Sequence, residues 1–566
     1  MEKAGTTGEP KPLQRSRRHA SADRMSGSQV AIETASANVR STILWSLLSK
    51  VISFALRTLL ARRFGPAAIA FSDVYLGLSV AVALWPAREV VRRVVLQRPE
   101  FAQRRFWFWM NIFWCVIVFV GNDAAFRKRA SAKISSGPVD MAYAFVGAGA
   151  LLEASIGEWL HVQCLLHGDA GALAGRARAD GLAALAQHLS AVSIAYVTGD
   201  DALGAALGWF AQSFVRVVVL AHSWLSFQRR LGSRKRRRQA DQRRDTDSRR
   251  LWLHASFHAA LKFLASDAEN VFLAFSTRLT AEQIGAYKIT GNLASMVLRL
   301  FFFPLEESVC VLAARTASEN DPAQLVEAYR FAQDARLCAI LLAILLSVVG
   351  PVYVPLFLEI VYGKRWLRTA AIHGAPVARL LAWHLRSLVA AALFGTTDAL
   401  LTTAVLPLLS SGMLLTHTVC NAVVSIGFVA GVRWAAIHTG DPLLLIANNA
   451  ITLLVRAALA TAMVRIALHH ADGRDTTRAS CAPWPSGKVL LATTIWASTA
   501  HLLVSRTLVG ARTWIPSGSL SLWTLLMSML WIWAVLSSHR DALRRVLIGS
   551  RAKTQTRASL AKVALD

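Results

Sequence analysis

Residues 287–308 read YKITGNLASMVLRLFFFPLEES. Within this stretch Lys288, Asn292, Ser295, Arg299 and Glu306 follow one another at intervals of 4, 3, 4 and 7, which sets them on one face of an α-helix. The other positions are mostly Leu, Phe, Val, Met and Ala. The apolar run extends over 283–313, and about 20 such residues suffice to cross a bilayer. Ionisable groups at that depth are costly unless they face protein or water. The pattern therefore predicts one helix of a membrane-embedded bundle with its polar stripe turned inward. Pro304 removes a backbone hydrogen bond between Arg299 and Glu306 and predicts a kink over 299–307. Arg299 should face a cavity, and Glu306 or Glu307 should pair with a cation on a neighbouring helix.

The rest of the chain agrees with a membrane reading. Of its 566 residues 54% are hydrophobic and 17% charged, against about 25% charged in soluble domains. That excludes a water-facing multi-domain enzyme, and the apolar content excludes a disordered scaffold. Apolar runs lie at 41–61, 67–87, 106–121, 141–164, 179–198, 202–225, 251–275, 283–313, 336–361, 376–400, 403–436, 442–468, 488–508 and 519–537. The fold class expected is an all-α polytopic membrane protein of about fourteen transmembrane helices.

The net charge is +28. The charge lies in tails and loops between apolar runs, so the positive-inside rule accounts for it better than nucleic acid does. The segment 226–250 holds eleven Lys and Arg against three Asp. Both termini and this linker are expected in the cytosol. The loop 122–140, with four basic residues on the opposite side, does not follow the rule. The division expected is a basic tail over 1–40, an amino-terminal lobe of six helices over 41–225, the linker 226–250, a second six-helix lobe over 251–470, two further helices over 471–538, and a basic tail over 539–566. Residues 1–40 lack a cleavable signal pattern, so the first span is expected to act as an uncleaved anchor.

Three further spans carry polar stripes. Ser46, Lys50, Ser53 and Arg57 share one face of the first; His254, His258, Lys262 and Glu269 fall within an arc of about 80° on the seventh. Asn449, Thr452 and Arg456 share a face of the twelfth. Such stripes also serve helix packing. Four of them predict a central polar cavity rich in cations, through Lys50, Arg57, Lys262, Lys288, Arg299 and Arg456. Arg binds phosphate bidentately and Lys binds it as a point charge, so a phosphate or diphosphate suits this lining. The six cysteines show no CxxC spacing, His254 and His258 lack a third ligand, and there is no GxxxxGK[ST] loop. No metal, cofactor or enzyme chemistry is indicated.

Two segments carry a family resemblance. Leu84–Arg93 reads LWPAREVVRR, and 287–308 keeps a Y-x-x-x-x-N-L-x-S-x-x-x-R-x-x-F-x-P-x-E-E-S pattern. Both resemble the eukaryotic Rft family of endoplasmic-reticulum membrane proteins, as do Gly157-Glu158 with Gln163, Glu269, Val361-Tyr362-Gly363, and Asn449 with Arg456. Asn270 and Asp398 stand where the family pattern has Arg and Glu. The resemblance covers about 38–470 and implies a fold similar to the multidrug/oligosaccharidyl-lipid/polysaccharide exporters, with two six-helix lobes around a central cavity. It implies a role in N-glycosylation, moving a diphosphodolichol-linked heptasaccharide from the cytosolic to the lumenal leaflet. It adds Arg88, Glu89, Arg92, Arg93 and Glu158 to the candidate residues. Glu89 is expected to clamp Arg92 or Arg93 at i+3 or i+4, the alternative being a diphosphate-admitting site.

The leading expectation is a lipid-linked oligosaccharide translocator working by rocking of two lobes, with membrane lipid around it and the dolichyl diphosphate oligosaccharide as its partner. The alternatives are a non-transporting scaffold for other glycosylation-pathway membrane proteins, docked through 226–250, and a membrane-embedded glycosyltransferase. The last would need an acidic pair beside a lumenal domain, and Asp200-Asp201 in a short turn is poor support for it.

Overall fold

A computed structural model describes residues 49–85, 88, 109–119, 139–166, 170–231, 269–276, 278–306, 308–310, 313, 322–363, 366, 377–405, 411–472, 485–509 and 517–548. Among them all regular structure is helical. In chain order the helices are α1 (49–64), α2 (Pro66–Trp85), α3 (109–119), α4 (139–166), α5 (Ala170–Thr198), α6 (Asp201–Leu231), α7 (269–275), α8 (281–306), α9 (Pro322–Val348), α10 (Gly350–Tyr362), α11 (377–405), α12 (411–439), α13 (Pro442–Asp472), α14 (Gly487–Val509) and α15 (Ser517–Ile548). Eight described stretches are long and apolar enough to cross a membrane, and 109–119 and 350–362 are shorter apolar helices. Large apolar side chains such as Trp109, Phe113, Val423 and Trp533 stand more than 60% exposed. In water that surface would be costly; in a bilayer it is the lipid-facing surface of a polytopic membrane protein.

The helix boundaries follow from local chemistry. Gly65 takes φ 85°, its N–H closes α1 on the Ala61 carbonyl at 3.0 Å, and Pro66 starts α2 where no N–H is needed. Thr280 caps α8 with a reciprocal capping box to Gln283. The same three-residue turn occurs in each half of the chain. Thr198-Gly199-Asp200 joins α5 to α6, and Thr439-Gly440-Asp441 joins α12 to α13. In both, the threonine hydroxyl donates back into the helix just ended and accepts the aspartate N–H, the glycine has positive φ, and the aspartate carboxylate caps the next helix. Gly204 and Gly208 then let α6 close onto Ala191 and Ala195 of α5.

Two sequence boundaries are corrected. The ninth span, expected at 336–361, is two helices, because Gly350 and Pro351 interrupt it after Val349. The helix expected over 376–400 runs on to Val405, taking in the start of the span expected at 403–436, and the described part of the next helix starts at Ser411.

One hydrophobic core joins the two halves. Phe71, Tyr75 and Leu76 of α2 share it with Ile284, Tyr287 and Ile289 of α8 and with Leu380, Leu381 and Leu388 of α11. Helices α1 and α8 lie antiparallel, with Lys50 against Arg299 at one end and the Pro66 carbonyl against Gly285 at the other. Helices α14 and α15 pack on the outside of α9 and α10 through Val489, Trp496, Ala534 and Val535.

Candidate functional site

The α1–α8 seam brings together the polar stripes of the first and eighth spans. Arg57 of α1 forms an ion pair with Asp73 of α2, and the same Asp73 Oδ2 accepts a hydrogen bond from Asn292 Nδ2 of α8 at 3.0 Å. Lys50 Nζ donates to the Arg299 backbone carbonyl at 3.0 Å. The Arg299 guanidinium stands within electrostatic reach of Arg57 and its residue is exposed. Arg62, a turn beyond Thr58, donates to the carbonyls of Ile360 and Val361 in the other half of the chain.

The Lys50 bond has a backbone cause. Leu298–Phe302 is a π turn in which the Phe303 N–H bonds Leu298 O, five residues back. In that register residue 304 would donate to Arg299 O, but residue 304 is proline and has no N–H. Lys50 supplies the missing donor. Asp73 and Glu153 also sit in π turns, Phe71–Leu76 and Glu153–Gly157. Such turns insert an extra residue and re-aim the side chains around it.

Among the described residues the remaining candidates form separate groups. Arg88 and Glu158 belong to a buried network inside the amino-terminal half. Glu153 is 1% exposed and pairs with both Arg88 and Arg216. Glu158 lies 3.7 Å from Arg88 and 3.6 Å from Arg216. Asp180 meets Arg216 Nε at 3.0 Å, Ser213 donates to Glu153 at 3.2 Å, and the His161 ring sits 3.3 Å from Arg216. Three carboxylates surround two arginines, which makes Arg88 an internal tie among the described residues.

In the other half the Glu269 carboxylate faces the Tyr287 hydroxyl, and Lys288 acts on His384, whose ring packs 5.2 Å from that of Tyr287. Glu306 lies directly over Gly395. The charged neighbour acting on Glu306 is a carboxylate, Asp398, and Arg456 faces Asp398 while covering the Phe394 ring at 5.4 Å. Arg456 is thus directed at Asp398 of α11, which packs against both α8 and α13. Asn449 is half-buried on α13. Glu89, Arg92, Arg93, Lys262 and Glu307 lie outside the described residues, and with them the Glu89 clamp.

Sequence reasoning missed Asp73, Glu153, Asp180, His161 and Arg216. None of them falls in a run of polar residues at successive helical intervals long enough to mark a stripe. The rule that an intramembrane charge needs a partner would have singled them out.

The Rft protein family model matches residues 34–548. The Man(5)GlcNAc(2)-PP-dolichol translocation protein RFT1 of Candida glabrata is 26% identical over 121 residues, which is 21% of this chain and 22% of that protein. Its counterpart in Saccharomyces cerevisiae is 26% identical over 116 residues, 20% of each chain. The matched segment thus spans about a fifth of the length of these curated relatives. The lipid II flippase MurJ in an inward closed conformation superposes with a TM-score of 0.52 at 8% identity, over 89% of this chain and 99% of that one, so the fold is shared. The chain belongs to the Rft protein family.

Proposed function

We propose that this protein moves a polyprenyl-diphosphate-linked oligosaccharide between the leaflets of the endoplasmic-reticulum membrane, in the service of N-linked glycosylation. The observation that carries the reading is the seam between α1 and α8. Two guanidiniums, Arg57 and Arg299, from opposite halves of the chain, lie within electrostatic reach of each other there, with the Asp73 carboxylate paired to Arg57 and with Lys50 on the Arg299 carbonyl. A diphosphate has the charge and the oxygen count to bridge them. Membership of the Rft family and the names of the yeast relatives support the choice of a dolichyl diphosphate oligosaccharide as the lipid.

In this reading Lys50, Arg57 and Arg299 contact the diphosphate, the glycan lies between the halves, and the prenyl tail stays in lipid. Arg88 and Glu158 hold the amino-terminal half together. The termini and 226–250 face the cytosol. Reconstitution tests the function: purified protein goes into vesicles with labelled lipid-linked oligosaccharide, and the fraction reachable from outside is followed in time. Protein-containing vesicles should equilibrate the two leaflets faster than empty ones. Equal rates would sink the proposal and leave a supporting role in the same pathway.

A further inference from the structure

Among the described residues Asp73 is the carboxylate paired in the seam, and the function proposed above gives it no task. Its Oδ2 serves two donors at once, Arg57 from α1 and Asn292 Nδ2 from α8. Asp73 and Asn292 are 219 residues apart and belong to opposite halves of the chain. The oxygen that occupies the phosphate-binding guanidinium therefore also ties α2 to α8. Arg299 acts on Arg57 as a second positive charge, so among the described residues two guanidiniums face the one charge of Asp73. Two linked phosphates can engage both forks together, which a single carboxylate cannot.

We propose that Asp73 is an internal stand-in for the diphosphate: without substrate it holds Arg57 and fastens α2 to α8 through Asn292, and an incoming polyprenyl diphosphate displaces it from Arg57 and loosens that fastening. The exchange breaks no covalent bond. Phosphate oxygens replace the carboxylate oxygen as acceptors for Arg57, and the negative charge freed on Asp73 remains beside Asn292. The π turn Phe71–Leu76 gives Asp73 a way to withdraw by a local change of turn, with the rest of α2 in place. Binding energy at the diphosphate would thus be linked to the contact between the halves, which is the coupling a translocator needs. This inference rests on the diphosphate reading of the seam.

The test uses full-length protein in detergent and a fluorescent short-chain polyprenyl diphosphate, with the matching monophosphate and uncharged alcohol as controls. Asp73→Asn keeps the shape and an acceptor oxygen for Asn292 but removes the charge. It should bind the diphosphate about tenfold more tightly than wild type, with a smaller gain for the monophosphate. Asn292→Asp places a second carboxylate beside Arg57 and should weaken the diphosphate by a similar factor; it decides the matter if Asp73→Asn does not fold. Hydrogen exchange over 66–76 should quicken when wild type binds the diphosphate. Wild-type binding with Asp73→Asn no tighter, or with Asn292→Asp no weaker, overturns the role of Asp73 alone. Wild type and Asp73→Asn that both treat diphosphate and alcohol alike overturn the diphosphate reading as well.

Discussion

The ammonium of Lys50 donates to the backbone carbonyl of Arg299, 249 residues further along the chain, because Pro304 cannot. This bond fastens the first helix to a π turn of the eighth. It also sets the backbone from which the Arg299 side chain reaches the seam.

Lys50→Met leaves that carbonyl without its donor and should lower stability by about 1–2 kcal/mol. Pro304→Ala restores an N–H in the position that faces Arg299 O. The cost of Lys50→Met should therefore shrink in the Pro304→Ala background. Thermal unfolding of the two single variants and the double variant measures the coupling; strict additivity would refute the orphan-carbonyl account.

On the diphosphate reading, Arg299→Ala removes a charged contact to substrate, and among the described residues it breaks no ion pair. Protein abundance should stay normal while the translocation rate falls about 10- to 100-fold, the equivalent of one charge-assisted hydrogen bond. Vesicle assays and N-glycan occupancy in cells read the effect. Unchanged occupancy at normal abundance would remove Arg299 from the substrate site.

Glu153→Ala has the opposite profile. It strips a carboxylate from between Arg88 and Arg216 in a site almost closed to solvent. Breaking a buried pair on one side costs about 3–5 kcal/mol, so the variant should be scarce in the membrane and melt early. A Glu153→Ala protein of normal abundance that fails only in transport would move this network from scaffold to function.

Gly285 and Gly395 look alike in space, since a Cβ at either would come within 1.8 Å of an oxygen. At Gly285 the oxygen is the Pro66 backbone carbonyl, which cannot yield unless α8 leaves the α1–α2 corner. At Gly395 it is the end of the Glu306 side chain, which can swing away. Gly285→Ala should therefore be the worse substitution, at about 2–3 kcal/mol against about 1 kcal/mol or less for Gly395→Ala. Equal melting temperatures would show that the corner has more slack than its geometry implies.

His539 lies beyond the span expected at 519–537, at a non-helical residue inside α15. Its Nε2 accepts the Ser486 N–H at 3.0 Å, just ahead of α14. Burial lowers its pKa below the usual 6.5, so the folded state favours the neutral ring. The contribution is complete above about pH 6.5 and is lost as pH falls toward the folded value, where the unfolded chain binds the extra proton. Hydrogen exchange at 486–490 should quicken below that pH, and His539→Gln should flatten the dependence.

The eighth helix was legible because its polar residues obey the helical period, and the first-span stripe was legible for the same reason. The seam between them follows once both stripes must bury. Asp73 was not legible. It is a single acid in an Ala-rich span, and its partners Arg57 and Asn292 come from two other helices. The Glu153–Arg216 network shows the same limit, for its members are spread over the second, fourth, fifth and sixth spans and no one span shows them as a long periodic stripe. The break after Val349 was written in Gly350 and Pro351, yet continuous apolar character over 336–361 hid it. Hydropathy registers burial in lipid, and it is blind to where a backbone changes direction.

The paired Thr-Gly-Asp turns also bear on how the chain is made. Every hydrogen bond in each turn lies within a few residues, so a turn can close as soon as its own two helices have left the ribosome. The α5–α6 hairpin can be complete before α8 has emerged, and the α12–α13 hairpin repeats the event late in synthesis. Contacts of such short range form early and fast. The seam through Arg57, Asp73 and Asn292 must wait for α8. Nascent chains halted before that helix emerges should already hold a protected hairpin at 198–203, with Asp73 yet to meet Asn292.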